Sequence, residues 1–167
     1  MDLFVAEGGL DLKEEQPNRT FQNLGGKFVD VSGGVGTEFS VPRLYRGAVF
    51  ADFNRDGRLD AAVSSLNSPI ELWWNESPMR HRFQLRLEGT RGNRSAIGAQ
   101  VICKTASRTQ SRRVNSSVGH ASSSKLTVHF GLGKSRKAVV EIHWPSMQVQ
   151  KLGETLANQR LKVQELV

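Results

Sequence analysis

The chain has 167 residues with 38% hydrophobic content and a net charge of +7 at pH 7. This length and composition favour one ordinary globular domain or two small ones and argue against a disordered chain. No apolar run approaches the roughly 18 residues of a membrane span. Residues 1–12 lack the basic start and apolar centre of a signal peptide. We therefore expect no membrane insertion and no export signal in this sequence.

Short alternating or apolar runs separated by Gly, Asn and Ser fill most of the sequence, from LFVAE and GKFVDVS to VVEIHWP and RLKVQEL. Runs of this length, with turn residues between them, are typical of β-strands. In KLTVHFG, for example, Leu126, Val128 and Phe130 share one face of the predicted strand. Only residues 154–159, within GETLANQRL, predict one or two helical turns. The sequence therefore predicts an all-β protein.

An acidic loop lies between two of the apolar runs, in the stretch GAVFADFNRDGRLDAAVSS. Its oxygen-bearing side chains fall at every second position. Alternate residues of such a loop can direct oxygens at one hard cation, and calcium takes about six to eight of them. The predicted calcium ligands are the side chains of Asp52, Asn54, Asp56 and Asp60 and the backbone carbonyl of Arg58.

This loop differs from an EF-hand. An EF-hand has a bidentate Glu at the twelfth position, where this loop has Val63, and its flanks are helices rather than strands. We therefore predict a calcium loop in a β-hairpin, in which Gly57 permits the sharp turn. The alternative is a turn rich in Asp, Asn and Gly that binds no metal.

Charge is distributed unevenly along the chain. Residues 1–79 carry a net charge of −5, residues 80–137 carry +12 with Glu88 as their one acid, and residues 138–167 are neutral. The polar segment NESPMRH, which contains a proline, lies where the charge changes sign. We therefore predict two units, residues 1–79 and residues 80–167.

The segment RGAVFADFNRDGRLDAAVSSLNSPIELWWN resembles the FG-GAP or VCBS repeat of integrin-α-like β-propellers, in which a loop of this pattern binds calcium between two strands of a blade. The resemblance implies one complete repeat and a fragment of another, whereas members of this family carry several repeats. A lone blade exposes its edges and an apolar face. The repeat is therefore expected to pack on the rest of the chain, to associate with another chain through its edges, or to be part of a longer propeller.

The second half resembles the ASPIC/UnbV domain, which follows such repeats in related proteins. The resemblance rests on NRSAIGAQVICKT, VHFGLG, VEIHWPS and LANQRLKVQE, in that order along the chain. It implies a small antiparallel β-sandwich or barrel-like domain and an extracellular or periplasmic location. The segment SSVGHASSSKL departs from the family, which tends to have an aromatic residue and Gln before the FGLG strand.

Residues 80–137 form the basic region of the chain. Its arginines include Arg82, Arg86, Arg91, Arg94, Arg108, Arg112 and Arg113. This concentration of positive charge attracts phosphate or sulfate polyanions. However, residues 84–129 have no aromatic side chain other than His on which a nucleic-acid base could stack. Three interpretations stay open: a solvated surface, a surface that faces acidic residues of this chain or a partner, and a polyanion site.

Residues suited to catalysis are scarce. Cys103 alternates with polar residues and is predicted to be a buried apolar side chain rather than a catalytic thiol. The histidines, His81, His120, His129 and His143, are too scattered to indicate zinc. His129 and His143 are expected on neighbouring strands. No Ser/His/Asp set or carboxylate pair forms a recognisable motif.

Three functions are therefore compared. The first is a non-enzymatic calcium-binding β-repeat module for recognition of a protein or glycan, as a fragment or short member of its family. The second is a polyanion-binding module that uses residues 80–137. The third, a metal-assisted hydrolase, is disfavoured because a loop that fills the calcium shell leaves no open coordination position. We predict the first.

Overall fold

The computed structural model describes residues 2–8, 14–119 and 122–167. Within them the chain forms short strands and two 3-10 helical turns, which confirms the predicted all-β class. The strands are β1 (Leu3–Val5), β2 (Arg19–Leu24), β3 (Lys27–Asp30), β4 (Tyr45–Ala51), β5 (Asp60–Ser65), β6 (Glu71–Trp73), β7 (His81–Glu88), β8 (Gln100–Lys104), β9 (Thr109–Arg113), β10 (Ser117–Gly119), β11 (Ser122–Ser123), β12 (Thr127–Gly133), β13 (Lys137–His143), β14 (Val149–Leu156) and β15 (Gln159–Gln164). Neither helical turn, Ser32–Gly34 or Glu38–Ser40, has the length or apolar character to cross a membrane.

The chain divides into two compact units. The first contains Met1–Ala51, Leu59–Asn75 and Gly119–Ser123, and the second contains Asp52–Arg58, Glu76–Val118 and Ser124–Val167.

Two three-stranded antiparallel sheets build the first unit, in the orders β1-β2-β3 and β4-β5-β6. Tyr45 and Val63 are fully buried at the centre of its core. Aromatic rings pack edge to face beside them, with Phe4 lying 5.4 Å from Phe50 and 6.1 Å from Trp73 between ring centroids. The core of this unit is small, and it depends on aromatic side chains for much of its buried apolar surface.

Two sheets, ordered β12-β7-β15 and β14-β13-β8-β9, build most of the second unit. Alternation places one face of each strand inward, as in β13, where Val140 and Ile142 are fully buried and Val139 is half exposed. The side chains of both sheets share one hydrophobic core. That core contains Phe83, Leu85, Leu87, Val101, Cys103, Val128, Phe130, Leu132, Ala138, Val140, Ile142, Trp144 and Val163. The shared face predicted for Val128 and Phe130 is confirmed, since both side chains are buried.

The structure corrects three expectations for the second unit. The helical turns predicted for residues 154–159 are absent, because β14 continues to Leu156 and β15 starts at Gln159 after a turn in which Asn158 has φ 61°. The expected sheets are antiparallel, but β15 pairs with β7 in parallel. His129 and His143 are not on neighbouring strands, since β12 and β13 belong to different sheets.

Candidate functional site

The acidic loop, residues 52–58, connects β4 to β5 and belongs to the second unit. The strands that it joins form an antiparallel hairpin in which Ala51 is paired with Asp60. Two loop residues have left-handed backbone conformations, Arg55 with φ 64° and Gly57 with φ 91°. Glycine accepts such a conformation without steric cost, which is why the sharp turn predicted for residue 57 forms there.

Hydrogen bonds connect three residues of the loop, Asn54, Asp56 and Arg58. The Asn54 side chain accepts from the Asp56 backbone N–H at 3.0 Å and donates to Asp56 Oδ2 at 2.8 Å. Arg58 donates its backbone N–H to Asp56 Oδ1 at 2.8 Å and its guanidinium to Asp56 Oδ2 at 2.6 Å. The Arg58 side chain is thus the main cause of a pKa for Asp56 far below the usual carboxyl value. Asp56 is ionised at neutral pH.

Asp52 is the most enclosed member of the loop, with a side chain only 5% exposed. Its Oδ2 atom lies 3.6 Å from the Arg160 guanidinium, whereas its buried Oδ1 atom makes no hydrogen bond within the described part of the chain. A buried carboxylate oxygen without a donor is costly unless a cation or a water satisfies it. Asp52 is therefore the loop residue that most needs a further positive partner.

Asp60, the fifth predicted ligand, starts β5 in the first unit and is buried. Its carboxylate accepts the backbone N–H of Asn75 at 3.0 Å. In the described ranges, no three side chains of His, Cys, Asp or Glu gather into a group that could hold a metal. To bind calcium, the acidic loop would have to use the Asn54 side chain and a backbone carbonyl as ligands, in addition to the carboxylates of Asp52 and Asp56. These residues fit a calcium ion chemically, with Arg58 as a competing partner for Asp56.

Within the second unit, a chain of polar contacts extends from Asp52 through Arg160 and Gln84 to His129. The Arg160 Nε atom donates to Gln84 Oε1 at 2.8 Å, and Gln84 Nε2 lies 3.2 Å from His129 Nδ1. Since the first bond fixes the Gln84 amide, its nitrogen faces His129 and requires Nδ1 to be the acceptor. Burial, with the nearby charge of Arg82 adding to it, lowers the pKa of His129 to about 4, so the ring is neutral at pH 7.

Two arginines singled out in the basic region serve the fold. The Arg108 guanidinium donates to the carbonyl of Gly131. The Arg112 guanidinium lies over the Phe130 ring at 5.9 Å from its centroid, a distance that suits a cation–π contact. The guanidinium groups of Arg108 and Arg112 therefore already have partners within the second unit and are not free for a ligand.

Other cations of the second unit lie at strand ends. Arg80 precedes β7, and Lys134 and Arg136 lie in the turn between β12 and β13. All three are exposed. They were not among the arginines named from the sequence, although the run KSRK over residues 134–137 is a visible signal.

The residues considered for catalysis or zinc lie apart. Cys103 is fully buried in the core, where burial raises the pKa of its thiol, as predicted for an apolar role. His143 Nε2 lies 2.6 Å from Glu141 Oε1, and His129 is in the other sheet. His120 lies outside the described residues.

Glu165 is a structural residue that the sequence did not reveal. It is 3% exposed, and its Oε2 atom accepts the backbone N–H groups of Thr90 at 2.8 Å and Arg91 at 3.0 Å. Its Oε1 atom accepts the hydroxyl of Ser146. These partners lie 19 to 75 residues away in the chain, so no local pattern could indicate them.

Residues 89–166, most of the second unit, match the family model described as ASPIC and UnbV. The chain is 43% identical over 61 residues to cartilage acidic protein 1 of Xenopus tropicalis, which covers 36% of this chain and 9% of that protein. It is 30% identical over 103 residues to the Homo sapiens protein of the same name and 29% identical to that of Mus musculus, covering 59% of this chain and 16% of each relative. The chain thus spans less than a fifth of the curated relatives it matches.

The predicted ASPIC/UnbV resemblance is supported by the family match, and the chain is distantly homologous to cartilage acidic protein 1. The FG-GAP repeat and its propeller stay predictions.

Proposed function

We propose that the chain is a non-enzymatic, calcium-binding recognition module that acts outside the cytoplasm on a protein or glycan ligand. The ASPIC/UnbV match supports a module of that kind. An extracellular setting suits the acidic loop, because calcium sites of extracellular modules are often weak and are filled only at millimolar calcium. The hairpin around the loop is proposed to be an FG-GAP-like repeat that belongs to a larger propeller or pairs through its edges with another chain.

The observation that carries the proposal is the buried Oδ1 atom of Asp52, which has no hydrogen-bond donor among the described residues. The proposed ligands beside it are the side chains of Asn54 and Asp56 and the carbonyl of Arg58. Calcium bound there would neutralise the two carboxylates and fix the loop conformation. The proposal does not depend on Asp60, which holds a backbone N–H in the first unit.

Arg58 has two opposed roles in this proposal. Its carbonyl oxygen is a proposed ligand, whereas its guanidinium already occupies the Asp56 carboxylate at 2.6 Å. A cation that binds Asp56 must compete with that ion pair. Removing the Arg58 side chain keeps the carbonyl and removes the competitor, so it should strengthen calcium binding.

Calorimetric titration with calcium tests the proposal on three proteins: the parent, Asp52→Ala and Arg58→Ala. We expect one site in the parent, loss of binding in Asp52→Ala, and binding up to about tenfold tighter in Arg58→Ala. Magnesium is the control, since its strict octahedral shell suits this flexible oxygen set poorly. Absence of calcium binding by the parent at several millimolar calcium would reject the proposal.

A second function is favoured by the exposed cations at the end of β12 and the start of β7. Within the described part of the chain, Arg80, Lys134 and Arg136 have no carboxylate within 4.0 Å. Polyanion binding through the basic region is therefore proposed as the recognition activity of the second unit.

A further inference from the structure

We propose that a cleft at one end of the second unit binds a sulfated polysaccharide. This inference deepens the proposed function, because it names the class of glycan and the residues that recognise it. The cleft has a volume of about 630 Å³, within the range of small-ligand sites. Its polar lining comes from Arg80, His81, Arg82, Lys134, Arg136 and Asn158.

The cleft gathers cations because of the sheet topology. Gly133 at the end of β12 is paired with His81 at the start of β7, which places the turn after β12 beside the segment before β7. Arg136 is held in place through its backbone carbonyl, which accepts the Ala157 N–H at 2.8 Å. Two separate segments of the chain, residues 80–82 and 134–136, thus contribute positive side chains to one opening, and a third segment contributes Asn158.

Among the residues that the structure describes, no acidic side chain lines this cleft. A second cleft of the same unit contains Arg86, Arg94 and Lys162, but there Glu88 pairs with Arg94 at 2.8 Å and with Lys162 at 2.5 Å. The charges of the second cleft are largely satisfied within the fold. The positive charges of the first cleft are therefore available to a ligand.

Asn158 orients the histidine of the cleft. Its Oδ1 atom accepts the backbone N–H of Arg82 at 3.3 Å, which directs its Nδ2 atom to His81 Nδ1 at 3.0 Å. An amide nitrogen only donates, so His81 Nδ1 is the acceptor, and the hydrogen of a neutral ring is on Nε2. The Nε2–H group of the ring is thus a hydrogen-bond donor that suits a sulfate or hydroxyl oxygen.

The chemistry of the lining favours a sulfated sugar over a nucleic acid. Arginine forks bind the oxygens of sulfate and carboxylate groups in pairs. Nucleic-acid strands are usually held also by stacking of bases on aromatic rings. In the described part of the chain, His81 is the one ring that lines the cleft. A sulfated polysaccharide places several anionic groups along a flexible chain and needs no stacking surface.

The test is binding of a heparin octasaccharide to the parent and to two triple variants with the same change in net charge. The cleft variant is Arg80→Ala/Lys134→Ala/Arg136→Ala. The control, Arg113→Ala/Lys125→Ala/Lys151→Ala, removes three exposed cations outside the cleft. We expect the cleft variant to bind about 10- to 100-fold more weakly, because it loses three exposed ion pairs with the ligand. The control should change affinity by less than about threefold.

Equal losses in the two variants would overturn the proposal, since they would indicate unspecific charge attraction. Tighter binding of single-stranded DNA, or of vesicles with phosphatidylserine, than of the octasaccharide at equal salt would also overturn it. Both variants should unfold at the parent's temperature. Titrations in calcium and in chelator separate the two proposals: octasaccharide binding without any calcium response contradicts only the metal site, and calcium binding without octasaccharide binding contradicts only the cleft.

Discussion

The guanidinium of Arg82 occupies the space that a side chain at residue 57 would need. A Cβ atom built on Gly57 meets the Arg82 guanidinium, and Gly57 itself has φ 91°. Residue 57 is thus restricted to glycine by its backbone conformation and by the close approach of an arginine. Both constraints act on the acidic loop that carries the proposed calcium ligands.

Gly57→Ala should therefore destabilise the second unit by about 1–2 kcal/mol through the left-handed backbone conformation alone. The Arg82 side chain can move aside at a smaller further cost, since its guanidinium is the far end of a flexible chain. Urea unfolding of Gly57→Ala, with and without Arg82→Ala, separates the two contributions. Gly92→Ala is the matched control, because Gly92 has open space around its Cβ position and no positive φ. A Gly57→Ala protein as stable as Gly92→Ala would contradict the backbone argument.

Glu165 should act as a structural clamp, in the sense that its carboxylate joins segments that are distant along the chain. Burial alone would raise its pKa, but hydrogen bonds from Ser146, Arg91 and Thr90 outweigh burial and lower the pKa below the usual carboxyl value. We expect Glu165→Gln to cost about 1–3 kcal/mol of unfolding free energy, because one of its buried donors loses its acceptor.

The pH dependence of this clamp follows from the direction of the shift. A carboxyl group with a lowered folded pKa contributes stability that is complete above its unfolded pKa, about 4.3, and is lost as the pH falls through the folded pKa. Urea unfolding at pH 7 and pH 3.5 should therefore show a smaller difference between parent and Glu165→Gln at the lower pH. Glu154→Gln, at an exposed ion pair with Lys137, is the control and should change stability by under about 1 kcal/mol. An equal effect of the two substitutions at pH 7 would exclude a clamp.

His129 should make the second unit less stable in mild acid. Its folded pKa of about 4 lies below the unfolded value of 6.5, so the unfolded chain binds more protons between these two pH values. Stability is then lost as the pH falls from 6.5 to about 4. His129→Gln should flatten the upper part of this decline, above pH 5, where few carboxyl groups titrate. The measurement is urea unfolding in chelator at intervals of half a pH unit, and equal slopes for parent and variant would contradict the prediction.

Local patterns predicted the strands and their inward faces well, because alternation in β12 and β13 directly reflects burial of Val128, Phe130, Val140 and Ile142. They failed at residues 154–159, where pairing of β14 with β13 and of β15 with β7 decides the conformation. Strand pairing depends on distant partners, which a short window does not contain. The contacts of Glu165 and the assembly of Arg80, Lys134 and Arg136 into one cleft also depend on distant partners, although the run KSRK itself is visible in the sequence.

The most direct test of the calcium module is thermal unfolding of the parent and Asp56→Ala in excess calcium and in chelator. Calcium at about 100 times its dissociation constant should stabilise the folded parent by roughly 2.7 kcal/mol. For a chain of this size, that raises the unfolding midpoint by about 5–10 °C. We expect this rise for the parent and none for Asp56→Ala. A parent midpoint that is the same in calcium and in chelator would show that residues 52–58 form a turn without a metal-binding role.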